Sequence, residues 1–439
     1  MWRPGSGRNN EGRKTTGNRI PMNTTTTRRI GYVLGQFPSV SETFIQREIA
    51  ALAENGFEVD VFPVFPRQAE ADLAEHTTAL STPPWICRRP RWHDLGAWHR
   101  LIGHAIRNPR GAWHALRGCP PMPLKSLHSF LRALRNMLIA ANIVTCARAR
   151  GITHLHAHFA FMPTDIARMA GILCGCAWSV SVHAKDIYTQ SSTVLANRLH
   201  GASFVAACTD HGRQTVSTTV GDLVNGPCLV ARHGVDTSWF TPETRHVQGA
   251  DNEVPVIVGI GRLEEKKGFR FLVLACRELV KRGFPFRCII AGDGDLKYAL
   301  QQLIQDCELG GRVELRGIVN REEVRRLCRS ATVSVLPSIV AHNGDRDGLP
   351  NVILEAMACG CPVISTTASA ANEAVEDEVH GFLVAPADRD ALAQRMADLL
   401  QLPESRRTDM GHAARARVCR DFDARQTIQP LLEAFRTYA

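Results

Sequence analysis

Short apolar runs in strict alternation with helix-length amphipathic stretches leave a chain few folds to choose from. From residue 254 that alternation is regular. VPVIVGIG leads to a helix expected over 269–282, and FRCIIAGDGD to one reaching about residue 307. VELRGIV leads to a helix over 321–330, ATVSVLP to a helix from about Pro350, and CPVIST follows. Apolar runs this continuous suit strands covered on both faces, and helices between them make the strands parallel. No motif recurs at the roughly 34 to 45 residue period of a helical or propeller repeat, which favours an open doubly wound sheet.

The first half opens the same way. IGYVLGQF reads as a strand, Ser39-Val40-Ser41-Glu42 fits a capping box for a helix to about Asn55, Gly56 ends that helix, and FEVDVFPVF resumes extended structure. Further strands are expected at 153–159, 178–184, 203–209 and 228–234. With 439 residues the chain exceeds what one core serves. The fold class is therefore α/β, with two doubly wound, Rossmann-like parallel-sheet domains facing across a cleft. Their expected spans are 29–235 and 254–419, joined by a polar linker at 236–253, with a final helix at about 420–439 packing back on the first domain. Residues 1–28, polar and without an apolar stretch, read as a disordered tail.

Composition excludes several classes. Hydrophobic residues make up 44% and charged residues 22%, which is ordinary for a globular protein. No run approaches eighteen apolar residues and no charged-then-apolar leader is present, so a cytoplasmic location is expected. The fourteen cysteines are scattered, without the C-x2-C spacing of zinc ribbons, and read as small buried side chains in a reducing compartment. The net charge of +9 is local rather than spread: ten Lys/Arg against one Asp fall within 88–135, where Trp92, Trp98 and Trp113 also lie, with Trp85 beside them. Such a stretch fits an anionic membrane surface, or a solvated cationic helix pair with Trp turned to the core; no nucleic-acid partner is expected.

Ligands of open parallel sheets bind where strands end and helices begin, because helix N-termini offer unpaired N–H groups there. Two loops in such places carry chemistry. After VPVIVGI come Gly261-Arg262-Leu263-Glu264-Glu265-Lys266-Lys267-Gly268, whose Arg262 and Lys267 could clamp a diphosphate, although a surface cation cluster would look the same. Gly259-x-Gly261 lacks the third glycine of a dinucleotide fingerprint, which disfavours nicotinamide. After ATVSVLPS comes Asp347-Gly348-Leu349-Pro350-Asn351-Val352-Ile353-Leu354-Glu355-Ala356-Met357-Ala358. Pro350 suits a first helical turn, and Val352, Ile353, Leu354 and Met357 give the helix a core face. Asp347 then stands in the loop, able to orient a sugar, and Glu355 within the helix, able to accept from a vicinal diol. As a hydrolase pair they would be about 12 Å apart along a helix, too far for either glycosidase geometry.

These residues resemble glycosyltransferase family 4 of the GT-B type, whose members carry two glutamates with seven residues between them in a G-(L/I/F)-P-x-x-x-x-E-A-M-A setting. The likeness continues through Gly360-Cys361-Pro362-Val363-Ile364-Ser365-Thr366, Glu373-Ala374-Val375 and Gly381-Phe382-Leu383-Val384, and includes Gly261-Arg262, Lys267-Gly268 and Ala291-Gly292-Asp293-Gly294. Phe37-Pro38-Ser39-Val40-Ser41-Glu42-Thr43-Phe44-Ile45 with Glu48, His154-x-His156-x-His158-Phe159, and Val182-His183-Ala184-Lys185-Asp186 are similar to the exopolysaccharide branch, which includes colanic-acid and amylovoran types. The glycine-rich loop that many members have near the start is absent.

The resemblance implies a nucleotide-diphosphate sugar bound by Gly261, Arg262, Lys267, Asp347, Gly348, Leu349, Pro350, Asn351, Val352 and Glu355. Within that set Glu355 would hold the ribose, Arg262 and Lys267 the diphosphate, and Asp347 the donor sugar. Asp347 replaces the usual Glu, shortening reach by about 1.5 Å. His183 would touch the donor sugar or its reacting centre, and Ser41, Glu42 and Thr43 would lie on the acceptor-side loop. No cofactor and no metal are implied, although His154, His156 and His158 alternate along one strand face as ligands could. The implied activity is retaining transfer to a saccharide or lipid-linked saccharide, in the cytoplasm or on the inner face of the plasma membrane. The alternative is a degenerate nucleotide-sugar-binding scaffold or sensor.

Overall fold

A computed structural model describes residues 28–39, 42–65, 85–86, 90–91, 93–117, 127–243 and 254–439. Outside the described residues lie all of the expected tail but Arg28, and also Val40, Ser41, Arg88, Arg89, Trp92 and residues 244–253 of the expected linker.

Thirteen strands build two all-parallel sheets among the described residues. The first holds β1 (Arg28–Leu34), β2 (Phe57–Pro63), β3 (Trp85–Ile86), β4 (His154–His158), β5 (Ala177–Val182), β6 (Val205–Ala207) and β7 (Cys228–Val230), in the order β3-β2-β1-β4-β5-β6-β7. The second holds β8 (Val256–Ile260), β9 (Arg287–Ala291), β10 (Val313–Gly317), β11 (Val333–Leu336), β12 (Val363–Thr366) and β13 (Gly381–Val384), in the order β10-β9-β8-β11-β12-β13. In each the strand order reverses beside the first strand, at β1/β4, where Ile30 pairs with His154, and at β8/β11, where Val333 pairs with Ile257. Those switch points are where a doubly wound sheet opens a crevice for ligand.

Close backbone approach fixes the loop after β8. Gly268 has φ +66°, and a Cβ there would lie 1.9 Å from the Pro337 carbonyl oxygen, so only glycine lets the loop after β8 pass the end of β11.

Local expectations shift at several edges. The helix after β1 is Thr43–Glu54: its N-cap is Glu42, whose side chain makes no capping bond, so the expected box lies a turn too early. Pro350 is the N-cap of Asn351–Ala358 rather than its first residue. The strands before residues 159, 184, 209 and 234 end earlier than their apolar runs, because the chain turns there to present polar side chains. Phe159, the first residue past β4, has φ 68°. The described part of the expected linker is no free tether. Phe240 and the preceding Val235 are buried in the second core, and Asp236 pairs with Arg321 at 3.0 Å.

Near residue 423 the chain leaves the second domain, where Val235 and Asp423 form a parallel bridge. The helix Gln429–Tyr438 then packs against the first sheet. Phe435 is fully buried near Tyr32, Phe57, Phe204 and His154, and His154 Nδ1 lies 3.1 Å from the Tyr438 carbonyl oxygen.

The helix Leu127–Arg150 has the length and apolar composition to cross a membrane, but its most apolar stretch is 56% buried and packs on Met162–Cys174 in the first core. It is a core helix. Among the described residues every cysteine is a free thiol.

Phe435→Ala should cost about 3–5 kcal/mol, since it empties a site with no room to collapse. A denaturant midpoint shifted by much less would show that the last helix contributes little to the first domain.

Candidate active site

The two motif loops of the second domain meet at one buried ion pair. Lys267 Nζ stands 2.9 Å from both oxygens of Asp347, and Ser338 Oγ donates to Oδ2 at 2.9 Å. Both partners are largely buried, at 14% and 8% exposure. Burial would raise the Asp347 carboxyl, but Lys267 and then Lys266 outweigh it and hold it below the usual carboxylate range. Lys266 is itself tied to Asp345 at 3.1 Å. In sequence Asp347 comes just ahead of Asn351–Ala358, at the end of the helix where backbone N–H groups lack full intrahelical pairing.

Of the expected diphosphate clamp of Arg262 and Lys267, Lys267 is held by Asp347 and Arg262 is not. Arg262 pairs with Glu264 at 2.7 Å, is 56% exposed, and its charge reaches Glu42 of the first domain. Burial nevertheless raises the Glu42 carboxyl, with His158 and Arg262 opposing. Beside it Thr43 is exposed, while Ser41 lies outside the described residues. Leu349 is buried, Asn351 and Val352 are half-buried, and a Cβ on Gly348 would come within 3.3 Å of Cys208 Sγ, so this turn abuts the first domain. Glu355, a turn and a half into the helix, has its carboxyl raised by burial while Arg47 and Arg321 pull it down.

His183 follows β5, and its neighbour Ala184 lies against this turn, 3.7 Å from where a Cβ on Gly348 would stand. His183 is the N-cap of Ala184–Tyr188, and its backbone N–H donates to Asp186 at 2.8 Å. The other Asp186 oxygen accepts from the N–H of Ala160 at 2.6 Å, which ties the loop after β4 to the loop after β5. Burial pushes the Asp186 carboxyl up to about 7. Both ring nitrogens of His183 are engaged within the first domain: Nε2 lies 3.3 Å from His158 Nδ1, and Nδ1 lies 3.2 Å from His233 Nε2. Burial, then His233, His158 and His156, keeps His183 well below its ordinary value.

The three alternating histidines divide. His154 and His156 share Ser179 Oγ at 2.6 and 2.7 Å, and His156 also reaches Ser181 at 3.0 Å. His158 turns instead toward Glu48 at 2.9 Å. Two groups could hold an ion by proximity, Glu48 with His156 and His158, and His183 with Cys208 and His233, each with ligand atoms within 4.8 Å of one another. In both groups the ring nitrogens already have hydrogen-bond partners or neighbouring imidazoles.

Sequence reasoning missed Arg47 and His233. Arg47 projects from Thr43–Glu54 toward Glu355, and its Nε and Nη2 are buried without a hydrogen-bond partner. A cavity of about 240 Å³ is lined by Phe44, Arg47, Glu48 and His233 among others. His233 stacks on Phe44 with centroids 3.9 Å apart. Buried guanidinium donors left unmade are costly, and beside an open cleft they point to a ligand that completes them. The only sequence signal for either residue was its place near a strand or helix terminus. The domains also touch at Glu373, which accepts from the His211 backbone N–H at 3.1 Å and from Arg232 at 2.8 Å.

Two doubly wound sheets with their switch points turned to a common cleft are the GT-B architecture. A glycosyltransferase of Rickettsia africae ESF-5 shares it with TM-score 0.67 and 16% identity, over 94% of this chain and 99% of that one. HepE of Anabaena, solved in complex with UDP-glucose, superposes with TM-score 0.67 and 19% identity, over 93% of this chain and 99% of that one. Residues 240–417 match the family model of the glycosyl transferases group 1. WcaL of Escherichia coli K12, a glycosyltransferase assigned to colanic acid biosynthesis, is 30% identical over 410 residues, covering 90% of this chain and 96% of the relative. AmsK of Erwinia amylovora, an amylovoran biosynthesis glycosyltransferase, is 28% identical over 431 residues, covering 92% and 98%. The chain belongs to the group 1 glycosyltransferases.

Because the Asp347 carboxyl is lowered in the fold, the pair stabilises the protein above the carboxylate's unfolded value and loses that contribution as pH falls through the folded one. Lys267→Met should therefore cost about 3 kcal/mol at neutral pH by stranding a buried charge. The difference from wild type should shrink below about pH 4, as Asp347 takes a proton. Thermal melts at both pH values check this, and a pH-independent difference would contradict it.

Proposed function

We propose that the protein is a retaining, metal-independent glycosyltransferase that moves a sugar from a nucleotide-diphosphate donor to a saccharide or lipid-linked saccharide in exopolysaccharide or cell-surface polysaccharide biosynthesis. The observation that carries this reading is the Lys267–Asp347 pair at the N-terminus of Asn351–Ala358, with Glu355 deeper in the same helix. A diphosphate entering there meets Lys267, the helix N-terminus and, after a side-chain turn, Arg262. Those groups favour the charge that grows on the departing phosphate more than they favour the ground state. Glu355 accepts from the ribose diol and Asp347 from the donor sugar. WcaL and AmsK, named for two exopolysaccharides, support the biosynthetic setting, and HepE with bound UDP-glucose supports a nucleotide-sugar donor.

In the retaining step the acceptor oxygen bonds to the anomeric carbon on the face that the diphosphate leaves. The bond from that carbon to the phosphate oxygen breaks, and the acceptor's proton passes to the released phosphate. The cationic loop and the helix N-terminus take the part a divalent ion would otherwise play. Closure of the cleft over the donor keeps water from competing.

A panel of UDP- and GDP-sugars, assayed with EDTA present, tests the reading. One donor should raise the melting temperature and release its nucleoside diphosphate, and Glu355→Ala should weaken the free nucleotide by about 10-fold or more, the scale of a lost charged hydrogen bond. Binding without release in the presence of acceptor would favour the scaffold alternative, and a requirement for Mn2+ or Mg2+ would overturn the metal-free mechanism.

For the acceptor, the helices Leu95–Arg107 and Pro109–Arg117 support an approach to anionic membrane. Trp98 packs into the core, while Leu95, Ile102, Ile106 and Trp113 are exposed beside the basic residues. Each basic residue near an anionic surface contributes about 1 kcal/mol, screened by salt. The protein should sediment with anionic vesicles at low ionic strength and stay in solution with neutral ones. Ile106→Glu with Trp113→Glu should abolish sedimentation; retention by that variant would remove the membrane from the proposal.

A further inference from the structure

An unbroken line of polar side chains crosses the first domain toward the donor side. The Tyr32 hydroxyl donates to Glu48 Oε1 at 2.6 Å, and His158 Nε2 lies 2.9 Å from the same oxygen. His158 Nδ1 is 3.3 Å from His183 Nε2, and His183 Nδ1 is 3.2 Å from His233 Nε2. His233 in turn meets the side chain of Asn351, the first residue of the donor-side helix. We propose that Glu48 and His158 are positioning residues for sugar transfer, fixing the tautomers of His183 and His233 so that each carries its proton on Nε2.

The direction follows from what each group can give. Burial, and then the Glu48 charge, raises the Tyr32 hydroxyl well above its ordinary value, so it keeps its proton and donates. A carboxylate oxygen has only lone pairs, so His158 must donate through Nε2. In this proposal each ring carries one proton, so His158 Nδ1 accepts and His183 Nε2 donates. His183 Nδ1 is left to accept from His233 Nε2, and His233 Nδ1 is left bare. Burial holds both His183 and His233 in the neutral form that this sequence needs, the latter pushed down to about 3.

The packing agrees. The rings are wedged, His233 against Phe44 with centroids 3.9 Å apart and His183 against Phe159 at 4.3 Å. Packed rings cannot swivel to correct a wrong proton, so the tautomer must be set from the Glu48 end.

The test reads tautomers directly. In histidine-15N-labelled protein, with His183→Gln and His233→Gln used for assignment, long-range 1H–15N spectra should show both rings as Nε2–H. Glu48→Leu and His158→Leu should mix the tautomers and lower kcat by about 10- to 100-fold, the scale on which an outer partner of a functional histidine acts. The nucleotide KM should hold within about twofold, because the groups proposed for the diphosphate and ribose, Lys267, Arg262 and Glu355, lie in the other domain. His158→Gln, which can donate to Glu48 and accept from His183, should restore both the spectrum and most of kcat. If the leucine variants do not fold, Glu48→Gln serves in their place. Its amide permits either direction, so the Nε2–H signature should weaken. Nδ1–H rings in the wild type, unchanged tautomers in a folded Glu48 variant, or full kcat in His158→Leu would each overturn the proposal. The kinetic arm rests on the transferase reading, whereas the spectra need no substrate. A wild type that transfers no sugar would therefore count against that reading and not against the tautomers.

Discussion

A carboxylate taken out of water needs a cation within reach, and the donor side of this protein is arranged around that need. Asp347 is nearly sealed, and an ion left alone there would cost several kcal/mol. Lys267 at 2.9 Å answers it, and Lys267 can be there only because the loop after β8 runs against the end of β11 at Gly268. The ion pair thus ties together two loops from the two strands that flank the switch point. It also keeps a lysine from wandering, so that a phosphate meets a cation whose position is already set.

The first domain answers with a different economy of charge. Toward the cleft it carries imidazoles in series, while its buried ion pairs Arg150–Asp60 and Arg198–Asp165 lie elsewhere in the domain. Glu373 takes an N–H and a guanidinium from the first domain, and Gly348 leaves only van der Waals room for Cys208. Arg47 reaches from one domain toward Glu355 of the other with two donors unfilled. A nucleotide between the domains would find polar groups on both sides that have no better partner.

How much of this was legible in the sequence differed by residue. The helix Arg321–Ser330 was readable to the residue, because Asn320 caps it and its apolar face repeats cleanly. The DGLP turn and its helix were readable because proline, glycine and the apolar run all punctuate the same place. The start of the first helix was not: Ser39 and Glu42 have capping spacing, but the helix begins at Thr43 with Glu42 as its N-cap, and tertiary contacts decide where winding begins. His233 and Arg47 were invisible as site residues for a stronger reason. Their significance lies in contacts with His183 and Glu355, distant in sequence, which no local pattern encodes. The second domain, built from contiguous βα units, was easier to read than the first, which is completed by residues from the far end of the chain.

That last feature governs the order in which the protein can fold. Tyr32, Phe57 and Phe204 precede the second domain in the chain, yet the side chain that covers them, Phe435, follows it. The second domain, whose core ends at Phe422, needs nothing from the final helix to close. The histidine-bearing half is therefore finished last. A chain cut between Phe422 and Phe435 would keep one core whole and leave the other open at its aromatic centre, a ready substrate for chaperones and proteases.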